Sequence, residues 1–307
     1  MELYNNGEET VVLRVRNFEG VMEQPRSGQL RSKKSNADQA VDQLAGLGRV
    51  LYSIAIAGFG VETIIFARSA SHALGLRYDV VPVLPWLPTV PGLAYAFGVI
   101  LVICAVELLF KLSSFRSATL LGGLLFFCAV ALDAPKNAAD IGNIGLRTIV
   151  FQPLAIAALA WLLPGSRSIS QWLRQTACYV LAIALIVFGI DHFLALHFIA
   201  NLIPGWIPWH SFWVAFFGTA FVAAGLSIGL HRFAQWGAIS LGLMFAIWVF
   251  TLHLPRILGL YAVPGASTNP SEWCSLLIAV ALWGGLWAMG HSKTSRARLD
   301  TQANAVL

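Results

Sequence analysis

The sequence predicts an all-α, polytopic membrane protein with eight transmembrane helices, arranged as two parallel-repeat four-helix bundles. Two observations lead to this prediction. Apolar residues make up 57% of the 307 residues and charged residues only 11%, and the mean hydropathy is +0.71. A hydrophobic pattern also recurs along the chain at a fixed offset of 120 residues. The composition is typical of helices in a bilayer, and the repeat indicates that one membrane unit was duplicated.

The eight helices are predicted from the lengths of the apolar stretches. A hydrocarbon core about 30 Å thick requires roughly 20 mostly apolar residues per helix. Eight stretches meet this requirement, at about 47–67, 91–112, 117–133, 147–163, 174–195, 211–230, 234–252 and 272–290. A membrane strand would alternate polar and apolar residues, whereas these stretches are apolar on all sides. They are therefore predicted to be helices.

The internal repeat defines the predicted organisation. Trp86 returns as Trp206 at the offset of 120, and residues 59–62 return as residues 188–191 at an offset of 129. The first outer loop of the second copy is therefore nine residues shorter. Because each copy contains four helices, the chain returns to its starting side between copies. The copies should have the same orientation and be related by a pseudo-two-fold axis along the membrane normal.

The distribution of Lys and Arg predicts the orientation, because cytoplasmic loops carry an excess of these residues. With the N-terminus inside, the inner loops and tails hold twelve of them, from Arg31 onward, and the outer side holds five. Both termini are therefore expected in the cytoplasm. This bias accounts for the net charge of +5, so the bilayer is the expected partner and nucleic acid is not.

The predicted segments are a disordered cytoplasmic tail (1–45), a first membrane repeat (46–164), a cytoplasmic linker (165–172), a second membrane repeat (173–290) and a cytoplasmic tail (291–307).

Ionisable residues inside the predicted helices are the first candidates for a functional site. Such residues are costly in a membrane and commonly line ligand or ion pathways. Glu62 and Asp191 occupy equivalent positions toward the outer ends of the first helix of each copy. Asp133 and His253 occupy equivalent positions at the outer ends of the third helices. All four are predicted to contact a ligand.

Basic residues follow two of these candidates by one helical turn. Lys136 and Arg256 each lie three residues after the ionisable residue of the third helix. If each four-helix bundle closes on itself, Glu62 approaches Lys136, and Asp191 with His192 approaches Arg256. Two interpretations stay open. The pairs are either buried ion pairs that only fix helix register, or parts of polar pockets that hold an anionic or quinone-like head group.

The histidines of the second copy allow further interpretations. Histidine titrates near neutral pH and can relay protons or bind metal. However, His192 and His197 are five residues apart rather than the four that place two ligands on one helical face, and no metal site is predicted. For His192 and His253, a proton-relay or ligand-contacting role and simple hydrogen bonding at the interface both stay open.

Two proline- and tryptophan-rich loops lie on the predicted outer side, at 80–88 and 202–210. Proline removes amide donors, so neither run can be regular helix. Non-helical backbone at membrane depth must be covered by protein or line a cavity. The doubled proline spacing favours a re-entrant cap over each pocket, which makes Trp86 and Trp206 candidate ligand contacts. The alternative is an aromatic anchor at the membrane interface.

Short motifs in the second copy carry a resemblance to a known family. The chain reads Gly-Ile-Asp-His-Phe at 189–193, Pro-Gly-Trp-Ile-Pro at 204–208, Trp-Val at 213–214 and Glu-Trp at 272–273. This order resembles the DoxX-like (DoxX/DoxD) superfamily of four-helix integral membrane proteins. The resemblance covers about 174–290 directly and 47–163 only through the repeat.

The resemblance implies a multi-pass protein of a bacterial inner (plasma) membrane. Because the family includes a membrane subunit of a thiosulfate:quinone oxidoreductase, it implies an accessory or quinone-interacting subunit of a membrane redox system. A quinone is then the candidate cofactor and a redox enzyme subunit the candidate partner. Two alternatives stay open: a small-solute transporter built from parallel repeats, and a membrane-protein assembly factor.

Overall fold

Long helices dominate the fold. The computed structural model describes residues 36–69, 90–112, 114–163, 169–260 and 270–290. Within these residues eight helical spans are long and apolar enough to cross a membrane. Their main helices are α1 (Asn36–Ser69), α2 (Pro91–Phe110), α3 (Ser114–Phe127), α5 (Ile144–Leu162), α6 (Gln171–Leu194), α8 (His210–Gly229), α9 (Ala234–Trp248) and α11 (Pro270–Gly290). Three short helices, α4 (Ala134–Asn137), α7 (Leu196–Ala200) and α10 (Leu254–Ile257), lie between them. The predicted class, a polytopic helical membrane protein, is confirmed.

The first helix is longer than the predicted membrane span. It begins at Asn36 rather than at residue 46, so the predicted tail extends too far into the chain. The reason is compositional. Residues 37–45 are rich in Ala, Gln and Asp, and Ala and Gln favour helix although Gln is not apolar. A search for apolar stretches cannot detect such a helical extension.

One π-helical turn interrupts the third helix of each predicted repeat. The first, Cys128–Asp133, joins α3 to α4, and the second, Val249–His253, joins α9 to α10. Each is followed by a proline, Pro135 or Pro255. Proline lacks an amide donor and its ring clashes with the carbonyl four residues earlier, and the wider i→i−5 turn relieves that clash. π turns often occur at functional sites, and Asp133 and His253 are the last residues of these two.

The long helices pack in sequence order, and α11 packs against α1. Each packs against the next one along the chain, α1 against α2 at Gly60 and Gly98, and α5 packs against α6 across the two predicted repeats. The last helix returns to the first, because Gly48 of α1 lies against Gly284 of α11 with no room for a side chain on either. α5 and α11 also pack against each other, and Tyr52 of α1 donates a hydrogen bond to the Ile156 carbonyl of α5 at 2.7 Å. The two predicted repeats therefore pack as one unit.

The same glycine contact occurs at both members of the predicted repeat. Gly60 of α1 faces Gly98 of α2, and a Cβ added at Gly60 would lie 2.6 Å from the Gly98 carbonyl oxygen. Gly189 of α6 faces Gly218 of α8, where the corresponding distance is 2.7 Å. Glycine is needed at these crossings because the two backbones touch, as small residues permit between membrane helices.

A tryptophan contact recurs in the same way. Trp161 of α5 lies over Gly122 of α3, and Trp287 of α11 lies over Gly242 of α9. The Trp161 indole donates to the Thr119 carbonyl at 3.5 Å, and the Trp287 indole donates to the Ile239 carbonyl at 3.1 Å. In both places a buried indole N–H is satisfied by a backbone oxygen three residues before the glycine. These are contacts that a duplicated unit is expected to retain.

Candidate functional site

Asp191 forms a buried ion pair with Arg147. The Arg147 Nε and Nη2 atoms lie 2.9 and 2.5 Å from the Asp191 Oδ1 atom. The side chains are 15% and 8% exposed, respectively. Arg147 also donates from Nη1 to the Ile141 carbonyl at 2.6 Å, so each nitrogen of its guanidinium group is used. This pair joins the start of α5 to the end of α6, and thus one half of the chain to the other.

The predicted pairing of Asp191 with Arg256 is wrong. Arg256 instead lies 3.6 Å from Glu272 at the start of α11. The prediction assumed that each four-helix bundle closes on itself, whereas α6 packs against α5 of the other half. Arg147 and Glu272 were not predicted as site residues. The sequence did contain a signal for Arg147. α5 and α6 are consecutive helices joined by a short linker, so residues at similar distances from that linker, such as Arg147 and Asp191, lie at similar depth in the membrane.

His192 lies within an aromatic cluster beside this ion pair. Its ring is stacked on Trp248, with centroids 5.8 Å apart and an interplanar angle of 15°, and is 5.0 Å from the Phe221 ring. Its Nδ1 atom is 2.7 Å from the Phe188 carbonyl oxygen. Because a carbonyl only accepts, Nδ1 carries the proton in this contact, and Nε2 of the neutral ring is an acceptor. Gly218 leaves space for the His192 Cβ atom at this crossing.

The two π turns place Asp133 and His253 at corresponding points of the third helices. Asp133 is 2% exposed. The Nδ1 atom of His253 is buried and has no hydrogen-bond partner among the described residues. His253 is the residue before α10, and Arg256 follows it by one turn. An imidazole nitrogen buried in this way is costly unless a group from outside the helices satisfies it.

Glu62 is the buried acid of the first half. It lies in α1, is 9% exposed, and neither of its carboxyl oxygens has a hydrogen-bond partner within the described ranges. The side chain of Lys136, its predicted partner, lies outside the described residues, and so does Trp86. The Glu62–Lys136 pair and the ligand-binding roles of Lys136 and Trp86 therefore stay predictions. A second glutamate, Glu107, lies near the C-terminal end of α2. It accepts a hydrogen bond from the Ser117 hydroxyl.

The second proline-rich loop does not bury its tryptophan. Trp206 is 66% exposed and Trp209 is 77% exposed. Tryptophans with this exposure favour the aromatic-anchor alternative over a re-entrant cap for this loop. The corresponding loop of the first half, at 80–88, lies outside the described residues. Trp206 therefore sits at the same end as Asp191, but in a position suited to lipid contact.

The comparisons with known proteins identify no relative. No protein-family model, no curated protein and no solved structure matches the chain.

Proposed function

We propose that the chain is a duplicated, DoxX-like integral membrane protein of a bacterial inner membrane, with both termini in the cytoplasm. The recurring contacts support the duplication. Gly60–Gly98 and Gly189–Gly218 form equivalent helix crossings, and the offsets between them are those of the sequence repeat. The short motifs of the second half and the charge bias support the family and the orientation.

Within this framework, the outer end of the helices, at which α1 and α6 finish, binds the polar head group of a lipid-soluble molecule. The observation that carries this proposal is that two buried groups, the Glu62 carboxyl and the His253 Nδ1 atom, have no hydrogen-bond partner among the residues that the structure describes. Leaving a buried polar group without a partner costs about 1–3 kcal/mol. Such groups persist in a membrane where a ligand, ion or proton pathway uses them.

A quinone has the chemistry that these residues recognise. Its head group is a flat ring with two carbonyl acceptors, and its isoprenoid tail is apolar. Trp248, which is only partly buried and stacks on His192, is an aromatic side chain that such a head group can contact. An imidazole N–H or a carboxyl O–H can donate to the carbonyl oxygens. The protein would act as an accessory or quinone-interacting subunit of a membrane redox system.

A binding experiment tests this function. Lipids extracted from the purified protein are assayed for quinone by absorbance, and a short-chain quinone is then titrated into protein in nanodiscs while tryptophan fluorescence is measured. Glu62→Met and His253→Phe should each weaken quinone binding about tenfold, because neither replacement can donate a hydrogen bond to the buried ligand. Glu107→Met is the matched control, because the Glu107 carboxyl accepts a hydrogen bond from Ser117 at the C-terminal end of α2. Absence of quinone together with equal affinities for all variants would refute the proposal.

A small-solute transporter is the second candidate, and Glu62 also favours it. A buried carboxyl group without a described partner is a group that can exchange a proton during transport. Proteoliposomes with a pH gradient distinguish the candidates. Solute uptake that is lost in Glu62→Gln and kept in Glu107→Gln would support transport, whereas quinone binding without uptake would support the redox role.

A further inference from the structure

A cavity of about 230 Å³ lies at the end of the helices opposite to the outer site. It is open to the surface and is lined by residues at the starts of α6 and α9 and at the ends of α5, α8 and α11. We call this end of the helices the inner end. Its polar lining includes Gln171, Arg174, Gln175, His231 and Gln235. This volume is below the roughly 300–1,000 Å³ of sites for drug-sized ligands. The cavity therefore suits a small polar group.

The charge of the lining selects an anion. Arg174 and His231 are its basic side chains, and none of the described residues that line it is acidic. An arginine fork is well matched to phosphate oxygens, and three glutamine amides supply further neutral donors.

Side-chain contacts between α6 and His231 order one wall of the cavity. Gln175 donates to the Tyr179 hydroxyl at 3.2 Å, and the Tyr179 ring stacks on the His231 ring with an interplanar angle of 16°. The His231 Nδ1 atom is 2.8 Å from the Ile228 carbonyl oxygen, to which it donates. These contacts hold the His231 ring in one orientation at the cavity.

Exposed apolar side chains form a strip along α6 and α8 toward the cavity end of these helices. α6 and α8 pack closely, because a Cβ added at Gly225 would lie 2.8 Å from the Ala182 carbonyl oxygen. Beside this crossing, Ile183 on α6 and Leu226 on α8 are exposed, and Leu230 is exposed nearer the cavity. A molecule with its polar group in the cavity would place its acyl chains along this strip.

We propose that the inner-end cavity binds the phosphate head group of an anionic phospholipid, with Arg174 as its main anchor. A basic cavity between membrane helices is the recognised setting for such head groups. A lipid held here would bridge α6, α8 and α9 and stabilise the second half of the protein. This site is independent of the outer site and of any redox role.

Lipid titration of the purified full chain tests the proposal. Protein freed of lipid in neutral detergent is titrated with phosphatidylglycerol, with phosphatidylcholine of the same acyl chains, and with glycerol 3-phosphate, and binding is measured by native mass spectrometry and by the melting temperature. We expect phosphatidylglycerol to bind at least about tenfold more tightly than phosphatidylcholine, the effect of one charge-assisted contact. Glycerol 3-phosphate should bind weakly, because it lacks the acyl chains.

Variants locate the site. Arg174→Gln should reduce phosphatidylglycerol affinity about tenfold, and His231→Gln is a second lining variant should Arg174→Gln fold poorly. Arg232→Gln, on an exposed arginine outside the cavity lining, is the matched control and should keep the wild-type affinity. Equal binding of the two phospholipids, equal effects of the lining and control variants, or glycerol 3-phosphate binding as tight as that of the lipid would each overturn the proposal.

Discussion

The two halves of the protein treat equivalent acids in different ways. Asp191 of the second half is paired with Arg147, and the guanidinium group of that arginine is fully used. Glu62 of the first half has neither carboxyl oxygen bonded within the described residues. The acid recurs in both halves, but its described base occurs in only one. The second half has more histidines, yet the acid with both oxygens unbonded among the described residues lies in the first half, whereas Asp191 has only its Oδ2 atom unbonded.

The internal offsets explain the difference. Trp161 and Trp287 make equivalent contacts, and their separation of 126 residues makes Trp273 the equivalent of Arg147. Tryptophan cannot supply the two charged donors that Asp191 receives. Glu62 therefore lacks at this position the cation that its counterpart has. A single change of residue type separates a structural ion pair from a candidate binding group.

The largest expected effect comes from breaking the paired acid. Asp191→Ala or Arg147→Ala should each lower the free energy of unfolding by about 3–5 kcal/mol, because either change leaves a buried charge without its partner. The double variant should lose less than the sum of the two single losses. Denaturant titrations in mixed micelles measure these values, and single losses that simply add would show that the pair is not coupled.

An opposite sign is expected for the unpaired acid. Glu62→Met should raise the free energy of unfolding by about 1–3 kcal/mol, because it removes a buried polar group without a described partner. Glu107→Met serves as the comparison and should destabilise, since Ser117 loses its acceptor. A destabilised Glu62→Met would instead indicate the Glu62–Lys136 pair that the sequence predicts.

The smallest expected effect concerns Arg256. Its nitrogen is 3.6 Å from the Glu272 oxygen, and both side chains keep some exposure, 17% and 18%. Arg256→Gln should therefore change the free energy of unfolding by less than about 1 kcal/mol. The same titration measures this change. A loss as large as that of Arg147→Ala would make Arg256 part of the buried network and would weaken the contrast between the two arginines.

The positions of the helices could be predicted because the bilayer imposes a simple requirement. Each span needs about 20 apolar residues, and the predicted spans agree with the described ones within a few residues at most ends. The early start of α1 at Asn36 was not predictable in this way, because that extension is helical without being apolar. The two π turns could have been expected from Pro135 and Pro255, since proline inside a helix must be accommodated.

The site was predictable in its residue types but not in its pairing. Repeat positions identified Glu62, Asp191, Asp133 and His253 correctly as ionisable groups within membrane helices. The partner of Asp191 depended on which helices become neighbours, and a sequence repeat does not specify that. The exposure of Trp206 depended on how its loop leaves the helices, which proline spacing alone does not determine.

The contact of α11 with α1 affects how the protein is made. The face of α1 that carries Gly48 meets Gly284, near the C-terminal end of the chain. During synthesis α1 enters the bilayer before α11 has left the ribosome. Until α11 inserts, the small-residue face of α1 is in contact with lipid. Packing of α1 is therefore completed only when α11 inserts, and a truncated product lacking α11 should be recognised by membrane proteases.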